Sequence, residues 1–442
     1  MRTLLVAAAS LAALIAPSVA GAATATTADA NLRYTATAGE INNVTFERVS
    51  GETFRVTDLG ATVTAGTGCT QDSPNVVTCT TRPGRPIIAN LGDQDDQATS
   101  RTSRSVQLFG EDGNDRLAGA SGRDTLDGGP GDDTLTGGSG ADRLRGGAGN
   151  DQLSGNPGND NLQGGDGNDL LDGGFGNDTE LGGTGDDTLR EGNAPSGADS
   201  LAGDSGNDTV DYSARTAPVN VTVDDQPDDG DRRSNERDNV RSTIDRVLGG
   251  AGSDVLIGRN GASDTLVGGA GDDVLDPLRG DDHVDGGPGI DQVRLRDLSR
   301  DDVTCGDGID SVAADERDVA AADCEHVRLT AAMSIAAVAP AAYPTVMVRL
   351  VCPPSAFKAC GGRVIIRTLA KVTTRAGKRT LTVGVRRFTL PAGSQRVIGV
   401  RLRAGAKRFV GRSGILVRAE LSAFDGAGDA RKDAARFRLL PP

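Results

Sequence analysis

An aspartate recurs in phase with a nine-residue repeat through the middle of the chain, and its carboxylate is the group best suited to chemistry. The repeats fill Gly110–Asp211 and Gly249–Arg294 as eleven and five units. Leu or Val follows this aspartate two residues later in fifteen of the sixteen units, and Glu180 is the exception. The sixteen candidate metal ligands are Asp115, Asp124, Asp133, Asp142, Asp151, Asp160, Asp169, Asp178, Asp187, Asp199, Asp208, Asp254, Asp264, Asp273, Asp282 and Asp291.

Stacking the repeats would bring these carboxylates close together. Strands in a sheet lie about 4.8 Å apart, so a column of aspartates at that spacing is strongly repulsive unless cations lie between them. The repeat offers only oxygen ligands, which are aspartate carboxylates and carbonyls of the glycine-rich turn. A cage of about six to eight hard oxygen ligands suits calcium, whereas magnesium tends to keep its water. We therefore predict that the repeats bind several Ca²⁺ ions.

The unit GGxGxDxUx, where U is apolar, divides into a turn and a short strand. Glycine allows the positive φ of a tight turn, and the last three residues point one apolar side chain inward. A single nonamer cannot bury its leucine, but stacked copies can. The competing interpretation is a disordered Gly- and Asp-rich linker. The phased leucine argues against a linker when calcium is present, although an acidic, Gly-rich chain tends to stay unfolded without calcium.

This nonamer resembles the RTX, or haemolysin-type calcium-binding, nonapeptide repeat. The resemblance implies a right-handed parallel β-roll with two nonamers in each coil. It also implies Ca²⁺ between adjacent loops, with the sixth-position aspartates and loop carbonyls as ligands. Position five usually holds Asn or Asp and the first position Gly, so departures there predict weaker or distorted sites. They are Arg123, Ala141, Ala198 and Ile290 at position five and Ala194 and Pro277 at position one.

The flanking sequence also predicts β structure. Alternating apolar residues before 110 suggest a small β module that caps the roll, with Leu91–Asp96 as a degenerate first repeat. About six or seven alternating strands after 343 suggest an immunoglobulin-like sandwich. The predicted fold is all-β, a parallel β-roll flanked by a small N-terminal β module and a C-terminal immunoglobulin-like β-sandwich. The predicted domains are 1–22, signal peptide; 23–109, N-terminal β cap module; 110–211, first roll array; 212–248, inter-array insertion; 249–330, second roll array with a disulfide cap; 331–342, linker; and 343–442, basic β-sandwich.

Two segments beside the arrays leave questions open. The segment 212–248 contains a strand-like stretch and then an acidic, Arg-rich loop. We expect it to leave and rejoin the same roll, and a domain boundary is the alternative. Past the second array, Cys305–Val312 is another degenerate nonamer, in which Asp310 is a candidate extra ligand.

The N-terminus and the cysteines predict export. Arg2, the apolar run Leu4–Ile15 and the small residues before Ala22 fit a cleaved signal peptide. A membrane anchor is the alternative, but the run is shorter than the roughly 20 residues that a bilayer requires, and no later segment is long enough. Six cysteines suit an oxidising compartment, and no CxxC spacing supports a thiol metal site. Of the many connectivities, we expect the sequence-local disulfides Cys69–Cys79, Cys305–Cys324 and Cys352–Cys360.

Several classes of catalyst are disfavoured. The chain has two histidines, His283 and His326, and neither HExxH nor GxSxG is present. These motifs would mark zinc-dependent or serine hydrolases. A pore-forming toxin is disfavoured too, because no long apolar segment follows the signal. We predict that the protein is not an enzyme.

The two ends of the chain differ in charge. Residues 341–442 hold 21 Lys and Arg against 4 Asp and Glu, a net charge of +17, whereas the whole chain carries −15. Such a basic domain could bind anionic cell-surface polymers through 343–442, and a solvated Arg-rich face is the alternative. Aromatic residues make up 3 % of the chain, so we expect no nucleic-acid specificity.

Together these features predict a secreted or cell-surface protein. It would be a non-enzymatic calcium-binding protein whose β-roll folds on binding Ca²⁺ and which has a structural, adhesive or surface-interaction role. The alternative is a calcium-dependent presenter of an anion-binding C-terminal domain, for a wall polymer or polysaccharide. A hydrolase of the kind associated with RTX repeats is less well supported.

Overall fold

The protein is represented by a computed structural model. It describes residues 22–231, 233–234, 236–295, 299–314, 317–324 and 326–329, and beyond these the backbone of strands between 335 and 439. The described residues form strands, turns and loops without a helix. Accordingly, this part of the chain has no apolar helix of membrane-spanning length. The signal peptide, all but the last residue of 1–22, and most of the linker 331–342 lie outside the described residues.

The chain divides into two compact units, and the first contains the described residues up to Arg215 and Val223–Arg246. Its strands are β1 (Ala23–Thr26), β2 (Leu32–Thr35), β3 (Asn43–Ser50), β4 (Thr53–Asp58), β5 (Val63–Ala65), β6 (Cys69–Ser73), β7 (Val76–Thr80), β8 (Ile87–Asp93), β9 (Gln97–Arg101), β10 (Val106–Asp112), β11 (Arg116–Ala118), β12 (Ser121–Gly122), β13 (Thr125–Pro130), β14 (Thr134–Thr136), β15 (Ser139–Gly140), β16 (Arg143–Ala148), β17 (Gln152–Ser154), β18 (Asn161–Asp166), β19 (Leu170–Asp172), β20 (Thr179–Thr184), β21 (Thr188–Arg190), β22 (Ser200–Ser205), β23 (Thr209–Asp211) and β25 (Asn239–Val240).

The second unit contains Thr216–Thr222 and the described residues from Val247 onward. Its strands are β24 (Asn220–Thr222), β27 (Val255–Ile257), β28 (Thr265–Val267), β29 (Val274–Asp276), β30 (His283–Asp285), β31 (Gln292–Arg294), β32 (Asp302–Thr304), β33 (Ser311–Ala314), β34 (Val319–Ala320), β35 (His326–Leu329), β36 (Ile335–Ala337), β37 (Thr345–Val351), β38 (Ala359–Thr368), β39 (Val372–Thr374), β40 (Gly377–Arg379), β41 (Thr382–Pro391), β42 (Gln395–Arg401), β43 (Ile415–Phe424) and β44 (Ala430–Leu439), while β26 (Arg246–Leu248) crosses the division.

Parallel ladders run through the repeats of the first unit. One sheet has the order β25-β22-β20-β18-β16-β13-β10-β8-β2-β1-β5, and a second series has the order β23-β21-β19-β17-β14-β11-β9-β3-β4-β7-β6. Leu126 pairs with Leu144, and Leu144 with Leu162, so each coil contains two nonamers. The predicted parallel β-roll is therefore confirmed as a parallel β-solenoid.

The leucine that follows each repeat aspartate lies inside the coil. Leu126 and Leu144 are fully buried, and burying one such side chain contributes about 1.5–3 kcal/mol. Glu180 takes this inward position in one coil and pairs in the ladder with Leu162 and Leu201. It is only 1 % exposed, so one carboxylate lies where the fold otherwise buries a hydrocarbon.

Residues 43–80 form antiparallel structure that joins the solenoid. β3 pairs with β4, β4 with β7 and β7 with β6, and the disulfide Cys69–Cys79 links β6 to β7 as expected. β2 and β3 also pair in parallel with β8 and β9. The parallel ladder thus includes strands before Gly110, where the nonamer pattern begins.

The second unit contains two parallel series of its own. They have the orders β24-β27-β29-β31-β33-β35 and β28-β30-β32-β34. The disulfide Cys305–Cys324 joins the degenerate nonamer to the segment that follows it, as expected.

The segment 212–248 contributes to both units. Within the first unit, β25 pairs in parallel with β22, so part of this segment continues that ladder. Within the second unit, β24 pairs in parallel with β27. The division between units falls inside this segment.

The strands after residue 344 pair in an antiparallel manner. β38 pairs with β41 and β43, β43 with β44, and β37 with β42. An immunoglobulin-like sandwich stays a prediction here. Cys352 lies outside the described residues, so the Cys352–Cys360 disulfide also stays a prediction.

Candidate metal centre

The repeat aspartates of the first unit form two columns. In each column the backbone N–H of one aspartate donates to Oδ1 of the aspartate one coil later. For Asp133 and Asp151 the N···Oδ1 distance is 2.8 Å, and for Asp142 and Asp160 it is 2.7 Å. The first column is Asp96, Asp115, Asp133, Asp151, Asp169, Asp187 and Asp208. The second column is Asp124, Asp142, Asp160, Asp178, Asp199 and Asp238.

The other carboxylate oxygen, Oδ2, is buried and lacks a hydrogen-bond partner in most of these aspartates. A buried anionic oxygen without a donor is costly, so it indicates a ligand or a proton at that position. Ten aspartates of these two columns share this feature, namely Asp96, Asp115, Asp133, Asp142, Asp151, Asp160, Asp169, Asp178, Asp187 and Asp208, and so do Asp273 and Asp291 of the second unit.

Two glycines of the nonamer make room for this arrangement. A Cβ built on Gly146, the first residue of its unit, would lie 2.1 Å from Asp151 Oδ2. A Cβ built on Gly147, which has a φ of 131°, would lie 2.0 Å from the carbonyl oxygen of Gly129 in the preceding coil. Carboxylate and carbonyl oxygens therefore crowd the same turn, as a calcium cage requires.

Burial raises the pKa of these aspartates. Desolvation is the main cause; a backbone hydrogen bond opposes it, and neighbouring aspartate charges add to it. The pKa of Asp133, Asp151 and Asp187 rises to about 7, and that of Asp115 and Asp142 to about 6. Because folding raises these pKa values, their contribution favours the metal-free fold below about pH 4 and is lost as the pH rises toward about 7. Above about pH 7 these carboxylates are charged, and a divalent cation would then balance the charge of the columns.

Position five of the nonamer forms a separate, exposed column. The N–H of Asp132 donates to Asn114 Oδ1 at 2.8 Å, and the N–H of Asn150 donates to Asp132 Oδ1 at 2.7 Å. Ala198 and Ile290 still donate their N–H to the preceding coil. They offer no side-chain oxygen to the following coil, so the weaker sites expected at these departures stay a prediction.

The second unit repeats the aspartate geometry. The N–H of Asp273 donates to Asp291 Oδ1 at 2.9 Å, and that of Asp291 to Asp310 Oδ1 at 2.9 Å. Asp310 therefore occupies the column position expected of an extra ligand. Asp254 starts this column, because its N–H donates to Asp273 Oδ1 at 2.8 Å. A parallel series runs from Asp264 through Asp282 to Asp301 by the same bond, with N···Oδ1 distances of 2.8 and 3.0 Å.

Arg259 changes one repeat of this unit. It stands in the second position, where most units have glycine, and its Nε lies 2.8 Å from Asp264 Oδ1. Its side chain is only 15 % exposed. The chain thus supplies a cation to this carboxylate.

Sequence reasoning missed Asp238, in the second column of the first unit, and Asp301, in the second unit. Asp238 receives the N–H of Asp199 at 3.1 Å, and Asp282 donates to Asp301 Oδ1 at 3.0 Å. Neither aspartate lies in a glycine-rich turn, but each precedes the second half of the nonamer, as Asp238-Asn-Val240 and Asp301-Asp-Val303. A search for this half alone would have found both.

Comparison with known families agrees with this geometry. The family model for the RTX calcium-binding nonapeptide repeat, four copies, matches residues 109–144, 119–153, 127–161, 145–180, 154–189, 196–214, 242–262 and 260–293. The predicted repeat is therefore confirmed. No curated protein matches the chain.

Asp151→Asn tests the role of a column carboxylate. Asparagine keeps an oxygen for the Asp133 N–H but removes the charge at Oδ2, so calcium affinity should fall by at least about tenfold at the affected sites. Isothermal titration calorimetry with calcium measures this affinity. Asp132→Asn is the matched control, because asparagine is common at position five. Equal affinity in both variants would contradict the assignment of ligands.

Gly146→Ala tests the space that the carboxylate needs. Its Cβ would meet Asp151 Oδ2 at 2.1 Å, so we expect weaker calcium binding and a loss of about 1–3 kcal/mol in unfolding free energy. Gly192→Ala is the control, because a Cβ there meets nothing within 4 Å. Denaturant melts with and without calcium measure the unfolding free energy of both variants and its increase on calcium binding. A Gly146→Ala variant with the unfolding free energy of the wild type would refute the steric argument.

Proposed function

We propose that this chain, which carries RTX calcium-binding repeats in a parallel β-solenoid, is an exported, non-enzymatic calcium-binding protein. Its roll folds as calcium binds, and its role is structural, adhesive or surface-interacting. The observation that carries the proposal is the recurrence of a buried, unpartnered aspartate Oδ2 in successive coils.

The aspartates, glycines and leucines of the roll have different roles in the proposed calcium sites. Each aspartate uses Oδ1 to fix the N–H of its neighbour and leaves Oδ2 for a ligand. The glycines keep side chains out of that space, and the inward leucines hold the coils in register. Bound Ca²⁺ would supply the positive charge that cancels the repulsion within a column.

Such a roll should respond to calcium in the extracellular range. Extracellular calcium modules bind with dissociation constants of about 10⁻⁴ to 10⁻³ M. A ligand at ten times its dissociation constant stabilises the fold by about 1.4 kcal/mol per site. Because the columns contain many sites, these contributions add, so folding should be steep in calcium concentration.

Features of the sequence and of the structure support export and a non-enzymatic role. The apolar run Leu4–Ile15 fits a signal, and the two disulfides Cys69–Cys79 and Cys305–Cys324 suit an oxidising compartment. The buried repeat aspartates all have a structural place in the columns. His283 is exposed at the start of strand β30 of the second unit.

The charge of residues 341–442 favours a second candidate function, namely binding of an anionic surface polymer by the C-terminal domain. The full chain should then be retained on a polyanion column and elute earlier as salt rises, because salt screens such attraction. A chain ending at residue 342 should pass through. Equal elution of both chains would count against this function.

Calcium titration of the mature chain tests the main proposal. After chelation, far-UV circular dichroism should show a cooperative gain of β signal at submillimolar to millimolar calcium, within the range of about 10⁻⁴ to 10⁻³ M expected for extracellular sites. Magnesium at the same concentrations should produce little change. A full β signal already present in chelator at neutral pH would sink the idea that calcium drives folding.

A further inference from the structure

A group of buried carboxylates outside the nonamer loops lies near the end of the second column. It comprises Glu191, Asp199, Glu236 and Asp238, and we call it the buried carboxylate cluster. None of the four is more than 5 % exposed. One ligand oxygen from each of Glu191, Glu236 and Asp238 lies within 4.8 Å of the other two. Only Asp199 of the four belongs to a nonamer.

The hydroxyl of Ser196 lies among three carboxylate oxygens of this cluster. Ser196 Oγ lies 2.8 Å from Glu191 Oε2, 2.9 Å from Asp199 Oδ2 and 3.4 Å from Glu236 Oε1. A hydroxyl has one proton to donate. Three carboxylate oxygens therefore converge on an oxygen that can satisfy one of them, and the remaining contacts bring lone pairs together.

Arg215 supplies only part of the missing charge. Its guanidinium donates to Glu236 Oε1 at 2.8 Å and to Glu191 Oε2 at 3.2 Å, and its side chain is 1 % exposed. One guanidinium thus faces four buried carboxylates. By binding both glutamates it also fixes their orientation toward each other.

Glu180 adds a further unbalanced carboxylate. It is 1 % exposed, its Oε1 accepts the Gly173 N–H at 2.9 Å, and its Oε2 is buried without a partner. Glu180 pairs in the ladder with Leu201, two residues after Asp199 of the cluster. A second buried acceptor without a donor therefore lies close to the same cluster.

The spacing of the cluster suits a particular class of cation. Calcium holds oxygen ligands at about 2.3–2.6 Å, so two ligand oxygens of one ion lie at most about 5 Å apart. The 4.8 Å limit among the three ligand oxygens is within that span. Calcium also accepts the irregular geometry that one aspartate and two glutamates from two segments of the chain provide.

We propose that Glu191, Glu236 and Asp238 together hold one divalent cation of the calcium class, at a site separate from the nonamer loops. Ser196 and Asp199 border this site, and Arg215 positions its two glutamates. The site does not require the nonamer columns to bind calcium, so it goes beyond the proposed function.

Tyr212 makes this site observable by itself. Its O–H donates to Asp238 Oδ2 at 2.9 Å, and the chain has three tyrosines and no tryptophan. Tb³⁺, which replaces Ca²⁺ at oxygen sites, emits when a nearby tyrosine is excited. We therefore expect tyrosine-sensitised Tb³⁺ emission. It should fall when calcium displaces Tb³⁺, and it should be lost in Tyr212→Phe. Tyr34→Phe is the matched control, because Tyr34 is also buried and bonded to an aspartate, Asp58.

Glu191→Gln separates this site from the column beside it. It removes one ligand charge while Glu236 still pairs with Arg215, so Tyr212-dependent emission should require at least about tenfold more Tb³⁺. Glu47→Gln, at an exposed ion pair with Arg101, should leave the emission unchanged. Unaltered emission in Glu191→Gln would place the ion in the column instead and overturn the proposal.

The wild-type chain alone can also overturn it. If calcium brings out the β signal but no Tyr212-dependent emission occurs, the cluster holds protons rather than a metal ion. If the emission occurs but the β signal does not change with calcium, the result supports the cluster site and contradicts the proposed folding on calcium binding. Circular dichroism of each variant in calcium confirms that it has folded before its emission is compared.

Discussion

A buried carboxylate oxygen that receives no donor from the described chain recurs in both aspartate columns, and the repeat is organised around it. The aspartate must be buried, because its Oδ1 accepts the N–H of the neighbouring coil. Once buried, Oδ2 points into a turn where a Cβ on the first glycine would collide with it. A buried aspartate at position six therefore requires glycine at position one. The inward leucine holds the coils at the spacing at which the N–H of one coil can reach Oδ1 of the next.

The first column begins and the second column ends on an aspartate outside the nonamer arrays, Asp96 and Asp238. At the start of the first column, Asn42 donates its N–H to Asp96 Oδ1 at 2.6 Å, in the role that an aspartate N–H plays elsewhere. At the end of the second column, Asp238 accepts from Asp199 and is itself bonded to Tyr212. An open column leaves its last acceptor and donor unsatisfied, so specific side chains are needed at the ends.

The repeat could be predicted from the sequence because its constraints are local. Aspartate, glycine and leucine in a fixed phase encode the coil, the register and the inward face, and Leu126 and Asp133 lie where that phase places them. Asp238 could not be found in this way, because 39 residues separate it from Asp199 and no glycine-rich turn precedes it. The contacts of Arg215 with Glu191 and Glu236 also depend on chain segments that meet only after folding.

Arg215 and Arg259 show a second solution to the same electrostatic problem. Each places a guanidinium on a buried carboxylate of its own unit, at a place where the nonamer is interrupted or altered. A guanidinium is always charged and cannot be removed by a chelator, whereas a bound ion can. At Asp264 the carboxylate therefore keeps the Arg259 guanidinium as a partner even without calcium, whereas Arg215 balances only part of the charge of its cluster and the regular coils keep only the partners that Oδ1 provides. The dependence on calcium should follow the regularity of the repeat, being greatest where glycine, aspartate and leucine stay in phase and least where Arg259 has replaced the second glycine.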